Sequence, residues 1–401
     1  MLSYGGTTKY SSNKKSKGEK NKKHKEEERI WTYYLVFTQR TESRNPILAV
    51  KLFLFKPRTH TVFPASETRP SVFGYEEEKR SNHQLETAMA DKPSRALVLY
   101  GDGVARFVDQ SHLHLHAVAS KSACGFLSLP NAPPSESEDE RIVREFAYLV
   151  DACEAYQDVK SLKNTSAPTL SERFMGLKAA IITNNPSLKS FSSQLGLTVL
   201  STSDLNGSDV SPSGASVGFV TSQLLKLLGF QDGKVLEASQ FDLVFVHFGA
   251  GERSADDGGN ATASDVEYLD ELSDGIMRIV QPSSEIGARL HLSVVMSYGR
   301  VNEADSTNFS VLPPKNEMSP DLAALCPRQS YTMRGETPRD DVRHHCPMLI
   351  AQWQSAVTRI DLAESFSFAD FKERGVNLVI PADRFLHEVA FKLWKAPKYG
   401  A

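Results

Sequence analysis

Cysteine is scarce in this chain of 401 residues: there are 4, at positions 124, 153, 326 and 346, and none forms a Cys-x-x-Cys pair. That excludes a zinc knuckle and a disulfide framework, and it suits reduced thiols in a cytoplasmic compartment. Long apolar runs are missing too. No stretch approaches the roughly 18 residues that a membrane span needs. Charge of one sign is nearly absent in the sum, at −3, so neither nucleic acid nor a membrane surface is an expected partner. What remains is ordinary: 40% hydrophobic and 24% charged residues, the composition of a globular α/β chain.

Residues 1–88 differ from the rest. Lys14 to Glu28, "KKSKGEKNKKHKEEE", is a charge run with almost no apolar residue, and such a run stays solvated. The segments "IWTYYLVFTQR" and "PILAVKLFLFKPRTHTVF" have strand composition, but no turn signal pairs them. At Met89 the pattern restarts as "MADKPSRALVLYGDGV". The expectation is a disordered or optional extension over 1–88, with Met89 as the native initiator, and one α/β domain over 89–401.

From Met89 onward short apolar runs alternate with helical periodicity. Strands are expected at Ala96–Tyr100, Leu177–Ile182, Leu197–Leu200, Leu243–Phe248, Leu290–Met296 and Pro347–Trp353, the last being the final core strand. Helices are expected over Arg141–Ala155, Pro186–Leu195, Ser216–Leu228 and Ser264–Val280. In the last of these Ser264 and Glu267 form a capping box. A C-terminal amphipathic helix carries Phe385, Leu386, Val389, Leu393 and Trp394 as its packed stripe. Continuous apolar strands joined by helices predict a three-layer α/β/α sandwich around a largely parallel sheet.

Chemistry in such a fold gathers at the carboxyl ends of the strands. The first strand ends in Asp102-Gly103, and "FDLVFVHFGAGERSADDGG" runs from a core strand into an acidic, Gly-rich loop with Glu252, Asp256 and Asp257. Carboxylates of this kind can coordinate Mg²⁺ or Mn²⁺, or simply be solvated. His247 ends the same strand and reads as a hydrogen-bonded core histidine. His112, His114 and His116 alternate in "SHLHLHAVA". On a strand they would share one face; at a helix start they would diverge. Ser135 lies in the acidic stretch "PPSESEDE", and His344 precedes the last strand beside Arg339, Asp340 and Arg343, which read as surface ion-pair partners.

The order of these features resembles the alkaline phosphatase superfamily, in particular its cofactor-independent phosphoglycerate mutases. The features are a strand ending in Asp-Gly; "GLKAAIITNNPSLKSFSSQLGLTVLSTSDLNGS"; "FDLVFVHFGAGE" followed by a helix with "EYLDELSDGI"; and "HLSVVMSYG" with a late "HHCPMLIAQ". The resemblance covers the chain from Ala96 onward. It implies an alkaline-phosphatase-like sandwich and a two-metal site of Mn²⁺, Mg²⁺ or Zn²⁺ that would clamp a phosphoryl group. In it Asp102 would be the first ligand, Glu252, Asp256, Asp257 and His344 further ligand candidates, and Ser135 the nucleophile. Two family patterns are absent. Gly251-Glu252-Arg253 stands where Asp-x-x-Gly-His would follow the "VFVH" strand, and Ser297-Tyr298-Gly299 replaces Gly-Asp-His. The segment that would hold the mutase's substrate-orienting domain shrinks to Asp151–Ser171. The expectation is therefore a divergent, non-catalytic relative that binds or regulates, its partner a phosphorylated small molecule or a protein. The alternative is an active, divergent metal-dependent phosphoesterase.

Overall fold

A computed structural model describes residues 93–160, 168–205, 216–249, 260–282, 284–301, 309–312, 330–375 and 379–396. It also gives the backbone of three N-terminal strands. The chain divides into two units, Met1–Val72 and Phe73–Ala401. In the first unit Ser3–Gly6, Tyr33–Phe37 and Val50–Lys51 form a small antiparallel sheet. The second strand-like run thus does pair with the first. The charge run Lys14 to Glu28 lies outside the described residues.

The second unit is built on an eight-stranded sheet. Its strands are β1 (Arg95–Asp102), β2 (Ala123–Ser128), β3 (Ala179–Ile182), β4 (Thr198–Leu200), β5 (Leu243–Gly249), β6 (Leu290–Met296), β7 (Met348–Trp353) and β8 (Val379–Pro381). They lie in the order β8-β2-β7-β6-β1-β5-β3-β4. Every strand runs parallel to the others except β7, which is antiparallel to both its neighbours. Two strands were not legible by periodicity. Ala123–Ser128 contains Gly125 and is short, and Val379–Pro381 has only three residues; they pair with each other in parallel. So Met348–Trp353 is not the last core strand, because β8 follows it.

Both faces of the sheet are covered. On β1, Leu97 and Leu99 belong to one buried cluster, and Ala96, Val98 and Tyr100 belong to the other. The first cluster takes in α1 (Leu113–Ser120), α4 (Val217–Leu227), α5 (Asn260–Ile279) and α6 (Phe368–Arg374). The second takes in α2 (Glu138–Leu149), α3 (Pro186–Gln194) and α7 (Phe385–Lys392). This is the expected α/β/α sandwich. Arg95, at the first residue of β1, ties in the turn after α4: its guanidinium donates to the Leu228 and Gly229 carbonyls at 2.7 and 2.9 Å.

Three helix readings need correction. The periodicity over 141–155 is two helices, because the chain breaks at Val150–Ala152, where Asp151 takes a positive φ of 49°. Helix α5 begins at Asn260, so Ser264 and Glu267 lie inside it and form no capping box at its start. Trp394 is 54% exposed, whereas Phe385, Leu386, Val389 and Leu393 are buried. Trp394 falls beyond the end of α7 with φ 59°, and that turn swings it off the stripe. Among the described residues no helix is long and apolar enough to cross a membrane.

A candidate strand-end centre held by arginine

Asp102 is the last residue of the central strand β1, and none of its surface reaches solvent. Tyr100 and Asp102 point to the α2 side by strand alternation. From α2 the Arg141 guanidinium grips the carboxylate with two parallel bonds, Nη1 to Oδ1 at 2.7 Å and Nη2 to Oδ2 at 2.9 Å. The remaining donors of Arg141 are also taken. Nη1 donates to Glu145 at 2.9 Å, while Nε and Nη2 donate to Glu138 at 3.0 and 2.6 Å. A guanidinium has five N–H groups, and here three carboxylates absorb them all.

Two more residues complete the shell of Asp102. Ser297, just past β6, donates its hydroxyl to Asp102 Oδ1 at 2.9 Å and accepts from the Gly103 amide at 2.9 Å. His247, on β5, places Nε2 4.0 Å from Asp102 Oδ2, and its Nδ1 bonds the Thr183 hydroxyl at 3.0 Å. The strand ends can close this tightly because Gly249 sits opposite Asp102 in register. A Cβ at Gly249 would overlap the Asp102 carbonyl, and its φ of 142° favours glycine in any case.

The electrostatics follow from burial and pairing. Burial alone would push the Asp102 carboxyl up; the Arg141 charge outweighs it and holds the group well below the usual carboxylate range. Burial would likewise lower Arg141, but Asp102 and Glu145 overcome it and the guanidinium is held more firmly charged. Glu145 goes the other way: burial raises it despite the neighbouring arginines.

The expected site residues are not gathered here. Of the metal-ligand candidates, Asp102 is at the centre, and Glu252, Asp256 and Asp257 lie outside the described residues. His344 is half-buried against Tyr331, with Nδ1 3.5 Å from the phenol oxygen. Ser135 lies on an exposed turn before α2. Its neighbour Glu136 is the residue that turns inward, to Arg144. His112, His114 and His116 fall at a helix start and do not converge as a set of three: His112 and His116, one turn apart, both meet Asp109, and His114 faces Asp274. Arg339 pairs with Asp341 and Asp383 near the surface, as expected, but Arg343 is 5% exposed and is no surface partner. Of the described cysteines, Cys124 and Cys153 are free, and Cys124 and Cys346 are buried.

A divalent ion does not fit the donors that are described. Both oxygens of Asp102 are occupied by Arg141, and the position after β6 carries a hydroxyl, Ser297, in place of a carboxylate or imidazole. Among the described residues no group of three His, Cys, Asp or Glu side chains is arranged to hold a metal. Arg141, Ser297 and Thr183 are the residues that motif reading missed. The available signal was the pair Glu138 and Glu145 flanking Arg141 at i−3 and i+4 on α2.

No protein-family model matches the sequence, and no curated protein matches it. The fold is similar to solved structures. One is the PH0037 protein from Pyrococcus horikoshii, 12% identical, covering 77% of this chain and 99% of that one, with a TM-score of 0.42. Another is the cofactor-independent phosphoglycerate mutase from Thermoplasma acidophilum, 10% identical, covering 74% and 98%, with a TM-score of 0.38. A third is a protein in the alkaline phosphatase superfamily from Vibrio parahaemolyticus, 10% identical, covering 75% and 67%, with a TM-score of 0.36. At these identities and TM-scores the chemistry is taken from this chain's own side chains alone.

Proposed function

We propose that this protein is a non-catalytic binding or regulatory relative of the metal-dependent phosphomutases and phosphatases. In this reading Arg141 stands where a metal cation would be held. The observation that carries it is the two-pronged Arg141–Asp102 bond at 2.7 and 2.9 Å, fully buried at the end of the central strand. A guanidinium balances the carboxylate as a metal would, but it offers no open coordination position and lowers no water pKa. Two-metal chemistry needs such positions for the attacking and leaving oxygens. The described residues of the centre therefore orient and neutralise. Ser135 is exposed on its turn, whereas the Asp102 carboxylate is fully buried.

The partner in this reading is a phosphorylated small molecule or a protein, and the compartment is cytoplasmic. The test is metal content. The full chain is incubated with Mn²⁺, Mg²⁺ or Zn²⁺, desalted, and assayed by mass spectrometry beside Asp102→Ala. We expect less than stoichiometric metal in both proteins. Stoichiometric metal in the wild type that disappears in the variant would overturn the proposal and revive a metal-dependent phosphoesterase.

A further inference from the structure

Beside Arg141 a cleft of about 450 Å³ opens between the 131–138 loop, α2, the turn after β6 and the segment before β7. Four arginines line it, Arg141, Arg144, Arg300 and Arg343, against two carboxylates, Glu136 and Glu138. Arg141 has no donor to spare. The other arginines differ. Arg144 spends Nε and Nη2 on Glu136, and its Nη1 has no hydrogen-bond partner among the described residues. Arg343 donates Nη2 to the Cys346 carbonyl at 2.8 Å, and its Nε has no partner among the described residues. Both side chains are 5% exposed or less.

A buried, charged N–H without an acceptor is costly, and native structures rarely keep one without a reason. Here two such groups belong to arginines that line the same cleft, and both nitrogens are themselves closed off from solvent. Glu145 Oε1, also without a hydrogen-bond partner among the described residues, stands 4.0 Å from Arg144 Nη2, outside hydrogen-bond reach. Arg343 contacts no carboxylate directly among the described residues. Planar, fork-shaped donors of this kind match the oxygens of a carboxylate or phosphate. Arg300 is exposed at the mouth, where it can meet the rest of an anion-bearing molecule.

We propose that this cleft binds a small oxyanion group, a carboxylate or a phosphate, through Arg144 and Arg343, with Arg300 at its mouth. The proposal rests on the reading of the centre as a binding site without metal. Its occupant is bound by arginine alone, so binding needs no divalent ion. Glu136 competes with the anion for Arg144.

The test uses the full chain, stripped of metal with EDTA and then desalted into metal-free buffer at constant ionic strength, titrated separately with inorganic phosphate and with malonate, and read by calorimetry and by Tm. We expect one of the anions to bind saturably. Saturation by phosphate alone points to a phosphorylated ligand, and saturation by malonate alone to a carboxylate. Arg343→Lys, which keeps the charge and loses the fork, should weaken binding about tenfold or more, the size of one charge-assisted bond. Arg300→Ala leaves the buried network untouched and should weaken binding a few-fold with the free protein's Tm unchanged. Glu136→Gln should tighten it. No saturable binding of either anion, or binding equal in wild type, Arg343→Lys and Arg300→Ala, would overturn the proposal and leave water as the missing acceptor. Because the protein is metal-free throughout, this failure is separate from the outcome of the metal assay.

Discussion

Arg141 satisfies Asp102, Glu138 and Glu145 at once, so its removal strands two carboxylates that have no access to solvent. Breaking a buried pair by taking one partner costs about 3–5 kcal/mol. Arg141→Met should lower the stability of the second unit by that amount in urea unfolding, and adding Asp102→Leu should recover much of it. The pair also sets a pH dependence. Asp102 is held below its unfolded value, chiefly by Arg141 acting against burial. Its contribution is full above an unfolded pKa of about 4 and is lost as the pH falls through the folded value. Glu145, raised by burial, contributes in the opposite sense, most below about pH 4 and less as pH rises through its folded value. Urea midpoints measured between pH 3 and 6 should therefore fall faster on acidification for the wild type than for Asp102→Asn; equal slopes would contradict this assignment. At this scale Asp102 was legible, since a strand ending in Asp-Gly identifies itself. Arg141 was not, because its partner lies 39 residues away. Helical periodicity counts an arginine as outward-facing unless the contact across the fold is known.

Helix α2 delivers Arg141, Arg144 and Glu145, so its start governs the centre. Ser137 caps it: the hydroxyl accepts from the Glu140 amide, and Glu140 reaches back to the Ser137 amide, a full capping box with Glu138, Asp139 and Glu140 in the first turn. Losing a cap of this kind costs about 1 kcal/mol. Ser137→Ala should lower the urea midpoint accordingly, with Ser264→Ala on α5 as a control that changes it by less. The three carboxylates of this first turn suit the helix dipole, while the capping box expected from the sequence fell on the wrong helix. Both sequences fit the pattern, and only the true start of α5 at Asn260 decides between them. The turn after β5 carries the second element-scale constraint. Gly249→Ala combines an unfavourable φ with an overlap on the Asp102 backbone, so it should destabilise by several kcal/mol, roughly the upper range for single substitutions.

For the whole molecule, the alternation of apolar runs was enough to specify layers and a mainly parallel sheet, because buried strands must be apolar on both faces. It did not specify the direction of β7 or the edge pair β2 and β8, since direction is set by the path of the connections and leaves no trace in a strand's own residues. The same holds for the site. Strand ends are local and visible, but what neutralises them is assembled from α2, the turn after β6 and the segment before β7. This assembly makes the global stability a probe of the centre. A ligand that binds only the folded state at a hundred times its Kd adds about 2.7 kcal/mol, which would move the Tm of a domain this size by a few degrees. If Arg141 is the resident cation, saturating Mn²⁺, Mg²⁺ or Zn²⁺ finds no preformed ligand set, and EDTA removes nothing. The Tm of the full chain should then be the same within about a degree in all four conditions at one ionic strength. A rise with one metal that EDTA reverses, and that Asp102→Asn abolishes, would mean that the guanidinium can be displaced and that the centre belongs to a metal after all.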